Sequence, residues 1–349
     1  MEIISGNARY VCRFPTARAA EIYTGENRWY IDCIAISPFL HRIFHMKKKL
    51  KLKSTAISKD TTRSRHIAVP KGASMESAFA DIARSGVTDI LERARAASTQ
   101  CDARQVHQLR VAIRRLRVAR AVFGEEQVDL DDDLRMFQKE LSAARELDVL
   151  LDETLSEVPN KLRYSPDARR LMAILEPRRK RAHEDVKALL GGALCADFLR
   201  RLEAWSQTIN GSTKPSAPSA KAFAAAILSH RYKRARRLGR KIDGLDEAKL
   251  HKLRIRIKKL RYTVEFFAAL WPEQKAKHYL SALKHLQGAL GKAHDLTAAR
   301  DLVDNLAPGI KAVADFAPIS HWAGKRFHRD RKHIVKLWRD FEERAPFWG

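Results

Sequence analysis

An eleven-residue motif occurs twice in this chain. His107-Gln-Leu-Arg-Val-Ala-Ile-Arg-Arg-Leu-Arg117 returns 144 residues later as His251-Lys-Leu-Arg-Ile-Arg-Ile-Lys-Lys-Leu-Arg261, with nine of eleven positions identical or chemically similar. Gln138-Lys-Glu-Leu-Ser-Ala-Ala-Arg-Glu-Leu147 is answered by Gln287-Gly-Ala-Leu-Gly-Lys-Ala-His-Asp-Leu296, now 149 residues on, with Glu146 opposite Asp295. Two matches in the same order, separated by a small insertion, mean that one structural unit has been duplicated. The repeats span 73–209 and 220–349, joined by a Pro-, Gly- and Ser-rich linker at 210–219 that offers nothing to bury. Apolar residues recur at helical spacing over long windows, and the whole chain of 349 residues holds only 15 glycines. The expected fold class is therefore all-α: a duplicated helical bundle with pseudo-twofold symmetry. Expected helices run over 75–97, 103–123, 131–155, 166–190 and 193–209, then 220–242, 247–271, 272–306 and, with breaks, 308–341.

On a helix of about 100° per residue, Leu109, Ala112, Ile113, Leu116 and Phe123 fall on one side of the first motif, and His107, Arg110, Arg114 and Arg117 on another. The second copy repeats this, with Leu253, Ile257, Leu260, Val264 and Phe267 inward and His251, Arg254, Lys258 and Arg261 in the cationic row. Charged helix faces are usually plain solvated surface, and ordinary ones intersperse acids for pairing one turn away. Arg104 to Arg120 contains six Arg and no acid, and Lys249 to Val264 has none either. The chain as a whole carries 67 Lys and Arg against 41 Asp and Glu, a net charge of +26. Repulsion on this scale points to a polyanion as partner. Guanidinium forks spaced along a helix suit phosphate groups strung along an extended chain.

Other classes are excluded or disfavoured. No apolar run is long enough to span a bilayer, and Arg9, Arg13 and Arg18 interrupt any signal-peptide core. Cys12, Cys33, Cys101 and Cys195 are scattered without a CxxC pair, which fits free thiols in the cytoplasm. Residues 1–72 carry 14 Lys and Arg against 5 acids and read as a basic extension, largely unstructured, with a short strand conceivable at 30–40 and an alternative start at Met46. His41 and His45 stand four apart but have Arg42 where a metalloprotease carries its general base, and no third ligand, so no metal is expected. Gly288-Ala-Leu-Gly-Lys292 lacks the spacing of a phosphate loop and has Ala293 where a hydroxyl belongs. The acids from Glu125 to Asp133 read as complement to a helix dipole. No catalytic set and no cofactor site emerges.

Both motif copies in order, together with the Leu-x-x-Ala-Arg-Glu-Leu-Asp148 segment, resemble the CHAD family, the conserved histidine α-helical domain, over residues 73–349. The resemblance implies two helical bundles with basic surfaces facing a central groove, and non-catalytic binding of inorganic polyphosphate, in some members at polyphosphate granules. Carried over position by position, it marks His107, Arg110, Arg114, Arg115 and Arg117, and His251, Arg254, Lys258, Lys259 and Arg261, as phosphate contacts. Arg145 joins them from the second segment, although Ser142 stands where the family has Gly and Glu146 where it has Asp. In the second copy His294 replaces that Arg. The competing class is a nucleic-acid-binding basic helical protein, for which Gln105 and Gln108 are the motifs' only amides able to read bases.

Overall fold

The computed structural model describes residues 69–124, 128–209, 219–305 and 315–349. The N-terminal extension through residue 68, with the strand at 30–40 and the His41/His45 pair, and linker residues 210–218 lie outside the described residues.

Helix α1 (Met75–Thr99) starts at Ser74, whose hydroxyl accepts from the Ser77 N–H. Helix α2 (Ala103–Phe123) carries the first motif; Asp102 caps it by accepting from the Gln105 N–H, and Gly124, at φ +72°, ends it in the left-handed conformation that glycine adopts without strain. Helix α3 (Val128–Glu140) and helix α4 (Ser142–Asp148) run on into a widened turn over Val149–Thr154. Helices α5 (Pro166–Gly191) and α6 (Ala193–Thr208) complete the first repeat.

The second repeat reproduces the beginning of the first, cap for cap. Helix α7 (Ala220–Gly239) starts at Ser219, which accepts from the Ala222 N–H, and helix α8 (Glu247–Phe267) starts at Asp246, which accepts from the Lys249 N–H. Helices α9 (Glu273–Asp304) and α10 (Ala317–Glu342) follow. The fold is all-helical, as the periodicity predicts. The strand-type pairing among the described residues is a single bridge between Ser74 and Ser219.

The expected helix over 131–155 is instead broken. At the break the Ser142 hydroxyl donates to the Gln138 carbonyl, and Arg110 of α2 donates to both, at 2.7 Å to the carbonyl and 2.8 Å to the hydroxyl. Side-chain donors that engage a helix carbonyl compete with its ladder and bend it. The second repeat has Gly291 at the position of Ser142, and α9 passes through it without interruption.

Equivalent residues of the two repeats touch. Ser74 pairs with Ser219, the Ala220 N–H donates to the Ala73 carbonyl, and Phe123 lies 5.8 Å from Phe267 between ring centroids. Residues that meet their own counterparts mark a twofold relation, here within one chain. Phe223 stacks on Phe123 at 5.1 Å and Phe79 packs against it at 4.9 Å, so the joint is aromatic. Leu109, Ile113 and Leu116 of α2, and Leu253, Ile257 and Leu260 of α8, are all buried, each set in the core of its own repeat. A third apolar group, with Leu151, Leu171 and Leu175 against Val303, Phe316 and Ile319, ties the repeats together elsewhere.

The close approach of α7 to α10 depends on Gly239: a Cβ there would lie 2.0 Å from the buried indole of Trp338. Gly239→Val should therefore cost about 1–3 kcal/mol or more through overpacking. Thermal denaturation should show the melting point falling by several degrees, and an unchanged one would mean that α10 yields freely.

Candidate functional site

The capped starts and buried faces of α2 and α8 bring the two cationic rows to a common seam. Arg114 and Lys258 occupy equivalent positions in the motif and are charge neighbours across it. Among the described residues neither has a carboxylate within ion-pair distance. Burial, then the charges of Arg254 and Arg114, push the Lys258 ammonium down to about 6, and Asp295, opposing them, does not offset the shift. Around this pair positive charges outnumber the carboxylates of Glu146, Glu153 and Asp295. His107 stands at the exposed edge of the cluster, and desolvation, followed by Arg145 and Arg114, holds it at about 4. Burial and the neighbouring Arg114 lower Arg110 to about 10. Burial also raises the carboxyls of Glu146 and Asp295, although Arg110 and Arg254 pull the other way.

The residues singled out in the sequence do not all serve this seam alike. His107, Arg110, Arg114 and Arg145 of the first repeat gather with Arg254, Lys258 and His251 of the second. Arg110 is fixed by its hydrogen bonds to α3 and α4, and Arg145 pairs with Glu153 at 2.6 Å. Arg254 approaches Asp295 at 3.9 Å. Arg115 and Arg261 turn to a shared partner, the buried Glu265, at 3.4 and 2.6 Å. Arg261 also donates to Gln287 and lies over the Tyr262 ring, 4.4 Å from its centroid. Arg115 thus braces the repeats against each other, while Arg261 holds Glu265 in place from within the second repeat. Arg117 lies further along, beside Arg135, and its charge reaches Lys259. His251 Nδ1 lies 3.1 Å from His294 Nδ1, a contact that needs one proton between two neutral rings. Burial and Arg254 push both imidazoles down, which keeps them neutral.

Three features escaped the motif reading. Glu265 has no counterpart in the first repeat, where Ala121 stands. On α7, Arg231, Arg234 and Arg237 line up at intervals of three, a spacing visible in the sequence but outside the motif. Elsewhere, Cys101 Sγ lies 3.7 Å from His183 Nδ1 and His183 Nε2 lies 2.9 Å from Asp148 Oδ1. Burial pushes that thiol up to about 11, so it stays protonated and the row ties the α1–α2 loop to α5 and α4. Among the described residues, no group of three or more His, Cys, Asp or Glu is placed to hold a metal ion. No described helix is long and apolar enough to cross a membrane.

A duplicated all-α domain with like charges facing across its own pseudo-twofold is a class that comparison with known proteins narrows. The profile of the CHAD domain matches residues 81–304, and the chain belongs to that family. Among solved structures, the CHAD domain from the plant Ricinus communis is similar at a TM-score of 0.69 and 24% identity, covering 82% of this chain and 98% of that one. PptA from Streptomyces chartreusis is similar at a TM-score of 0.54 and 16% identity, covering 78% of this chain and 99% of that one. Both likenesses are of fold. No curated protein matches significantly.

The depressed Lys258 has a measurable consequence. With its folded-state pKa near 6 and an ordinary unfolded value near 10.4, folding releases its proton between those pH values. Its penalty on the folded state is full below pH 6 and fades as pH rises toward 10. Lys258→Met should raise the melting temperature of the ligand-free protein most at pH 6 and little near pH 10. A melting point lowered by the substitution at pH 6 would show that the ammonium is stabilised in the fold, not strained.

Proposed function

We propose that this chain binds inorganic polyphosphate, without turning it over, along the cationic seam between its two repeats. The observation that carries the reading is the confrontation of Arg114 and Lys258, contributed by different repeats, with no carboxylate ion-paired to either among the described residues and with Asp295 too weak a neighbour to offset the excess of positive charge. An anion lodged there removes the repulsion and restores the proton that burial strips from Lys258. Arg110, Arg145, Arg254 and His107 surround the same point, so successive phosphates of one chain find donors from both repeats. Arg115, engaged by Glu265 across the repeats, acts by holding the seam together, and Arg261 positions that carboxylate. Membership of the CHAD family agrees with this assignment, and granules of polyphosphate in the cytoplasm are the place we infer for it.

The alternative is nucleic acid. Base reading needs free amides or stacking aromatics, and Gln108 accepts from Arg93 at 2.5 Å. Phe123 and Phe267 are spent on the joint. What remains for DNA or RNA is backbone attraction, which polyphosphate meets with a slimmer chain of about one charge per unit.

Competition among long-chain polyphosphate, duplex DNA and RNA at physiological salt tests the assignment. Polyphosphate should displace both nucleic acids, with affinity falling steeply as salt rises. Arg114→Gln should weaken polyphosphate binding about tenfold or more, since a charged hydrogen bond is worth about 1.5–3 kcal/mol. Equal or tighter binding of nucleic acid at matched salt would overturn the reading.

A further inference from the structure

The seam does not end at the motif helices. Arg117 is a charge neighbour of Lys259, Lys259 of Arg231 and Arg234, and Arg256 of Arg234 and Arg237. This carries the positive field from the seam onto the outer faces of α7 and α8. Arg231 donates to the Lys259 carbonyl at 3.1 Å and Arg256 to the Arg234 carbonyl at 2.6 Å, so each side chain is pinned across the neighbouring helix. Each guanidinium has five N–H donors, and one such bond leaves the others free to meet an anion. Arg234 and Arg237 are exposed. No carboxylate pairs with these four arginines or with Lys259 among the described residues, whereas elsewhere on the same helix Arg236 pairs with Glu342. The charges that act on Arg231, Arg256 and Lys259 are all positive.

The duplication supplies an internal control. With Ser74 matched to Ser219, the first-repeat counterparts of Arg231, Arg234 and Arg237 are Gly86, Asp89 and Glu92, and the counterpart of Arg256 within the motif alignment is Ala112. Asp89 is buried in an ion pair with Arg93 at 2.7 Å. The fold therefore does not require a cationic face here. One repeat carries it and the other carries acids.

We infer that this patch is a second anion-binding surface, continuous with the seam through Arg117 and Lys259, which takes the overhanging part of a long polyphosphate chain. The inference rests on the reading of the seam given above. It makes binding polar: a long chain leaves the seam over the second repeat, not the first. Tripolyphosphate, which fills only the seam, gains nothing from the patch.

The test compares tripolyphosphate with long-chain polyphosphate on the full chain and its Arg234→Gln/Arg237→Gln variant at physiological salt, where screening over about 8 Å limits effects at a distance. Both arginines are exposed and glutamine keeps helix propensity close to theirs. Tripolyphosphate affinity should stay within about twofold, while long-chain affinity should fall at least about fivefold with a shallower salt dependence. The charge-keeping variant Arg234→Lys/Arg237→Lys should hold most of the long-chain affinity, and should do so even if the glutamine variant fails to fold. An unchanged long-chain affinity, or equal losses for both lengths, would overturn the inference while leaving the seam intact. Arg114→Gln without effect on either length, beside a loss from the patch variant, would overturn the seam instead. A wild-type chain that bound neither probe would overturn both.

Discussion

A cation placed on a twofold axis meets its own copy. That constraint governs the seam: duplication of a helix with a basic row puts Arg114 against Lys258, and their repulsion opposes the docking of α2 on α8. Docking survives because the same helices share apolar contacts: Val118, Ala119 and Val122 of α2 lie in one buried cluster with Leu253, Ile257 and Leu260 of α8. Leu253, Ile257 and Leu260 are all fully buried, and burial of such side chains contributes about 1.5–3 kcal/mol each. The ring contacts of Phe79, Phe123, Phe223 and Phe267 close the joint directly between the repeats. The apolar faces thus hold like charges at a spacing they would not choose. Burial first, then Arg254 of the same helix and Arg114 across the seam, depress the ammonium of Lys258.

The repeats have diverged in ways that sharpen this arrangement. Glu265, present in one copy only, pairs with Arg115 and Arg261, while Arg114 and Lys258 have no ion-pair partner among the described residues. A buried acid between two arginines from different repeats locks the relative position of the motif helices, and removing one partner of such a group is strongly destabilising. Ser142 against Gly291 decides which repeat has a broken helix, and Arg145 against His294 decides which has a guanidinium at the edge of the seam and which a pair of imidazoles. The symmetry sets the site, and the departures from it give the site a direction.

Much of this was legible in the sequence. The repeat, the apolar and cationic faces and the helix order follow from spacing alone, since a 3.6-residue period fixes which residues share a face. The family resemblance added the proposal of a ligand class and named residues that the fold gathers at the seam. Partnership was not legible. Nothing in the motif separates Arg114 from Arg115, adjacent residues of like charge, yet one turns to the seam and the other to Glu265, a carboxylate 150 positions away. The break at Leu141 was hidden for a similar reason: it depends on Arg110 reaching another helix. The arginines of α7 fell outside the motif, and only the fold sets them beside Lys259.

The central claim is that Arg114 and Lys258 act on one ligand at one site. A double-mutant cycle on polyphosphate affinity, with Arg114→Gln, Lys258→Gln and the pair measured at fixed salt and pH, addresses it directly. The account predicts that the double variant loses less than the sum of the single losses by at least about 0.5 kcal/mol, because each substitution also relieves the repulsion felt by the other group. Losses that add to within about 0.3 kcal/mol would mean two independent sites, and would contradict the shared seam.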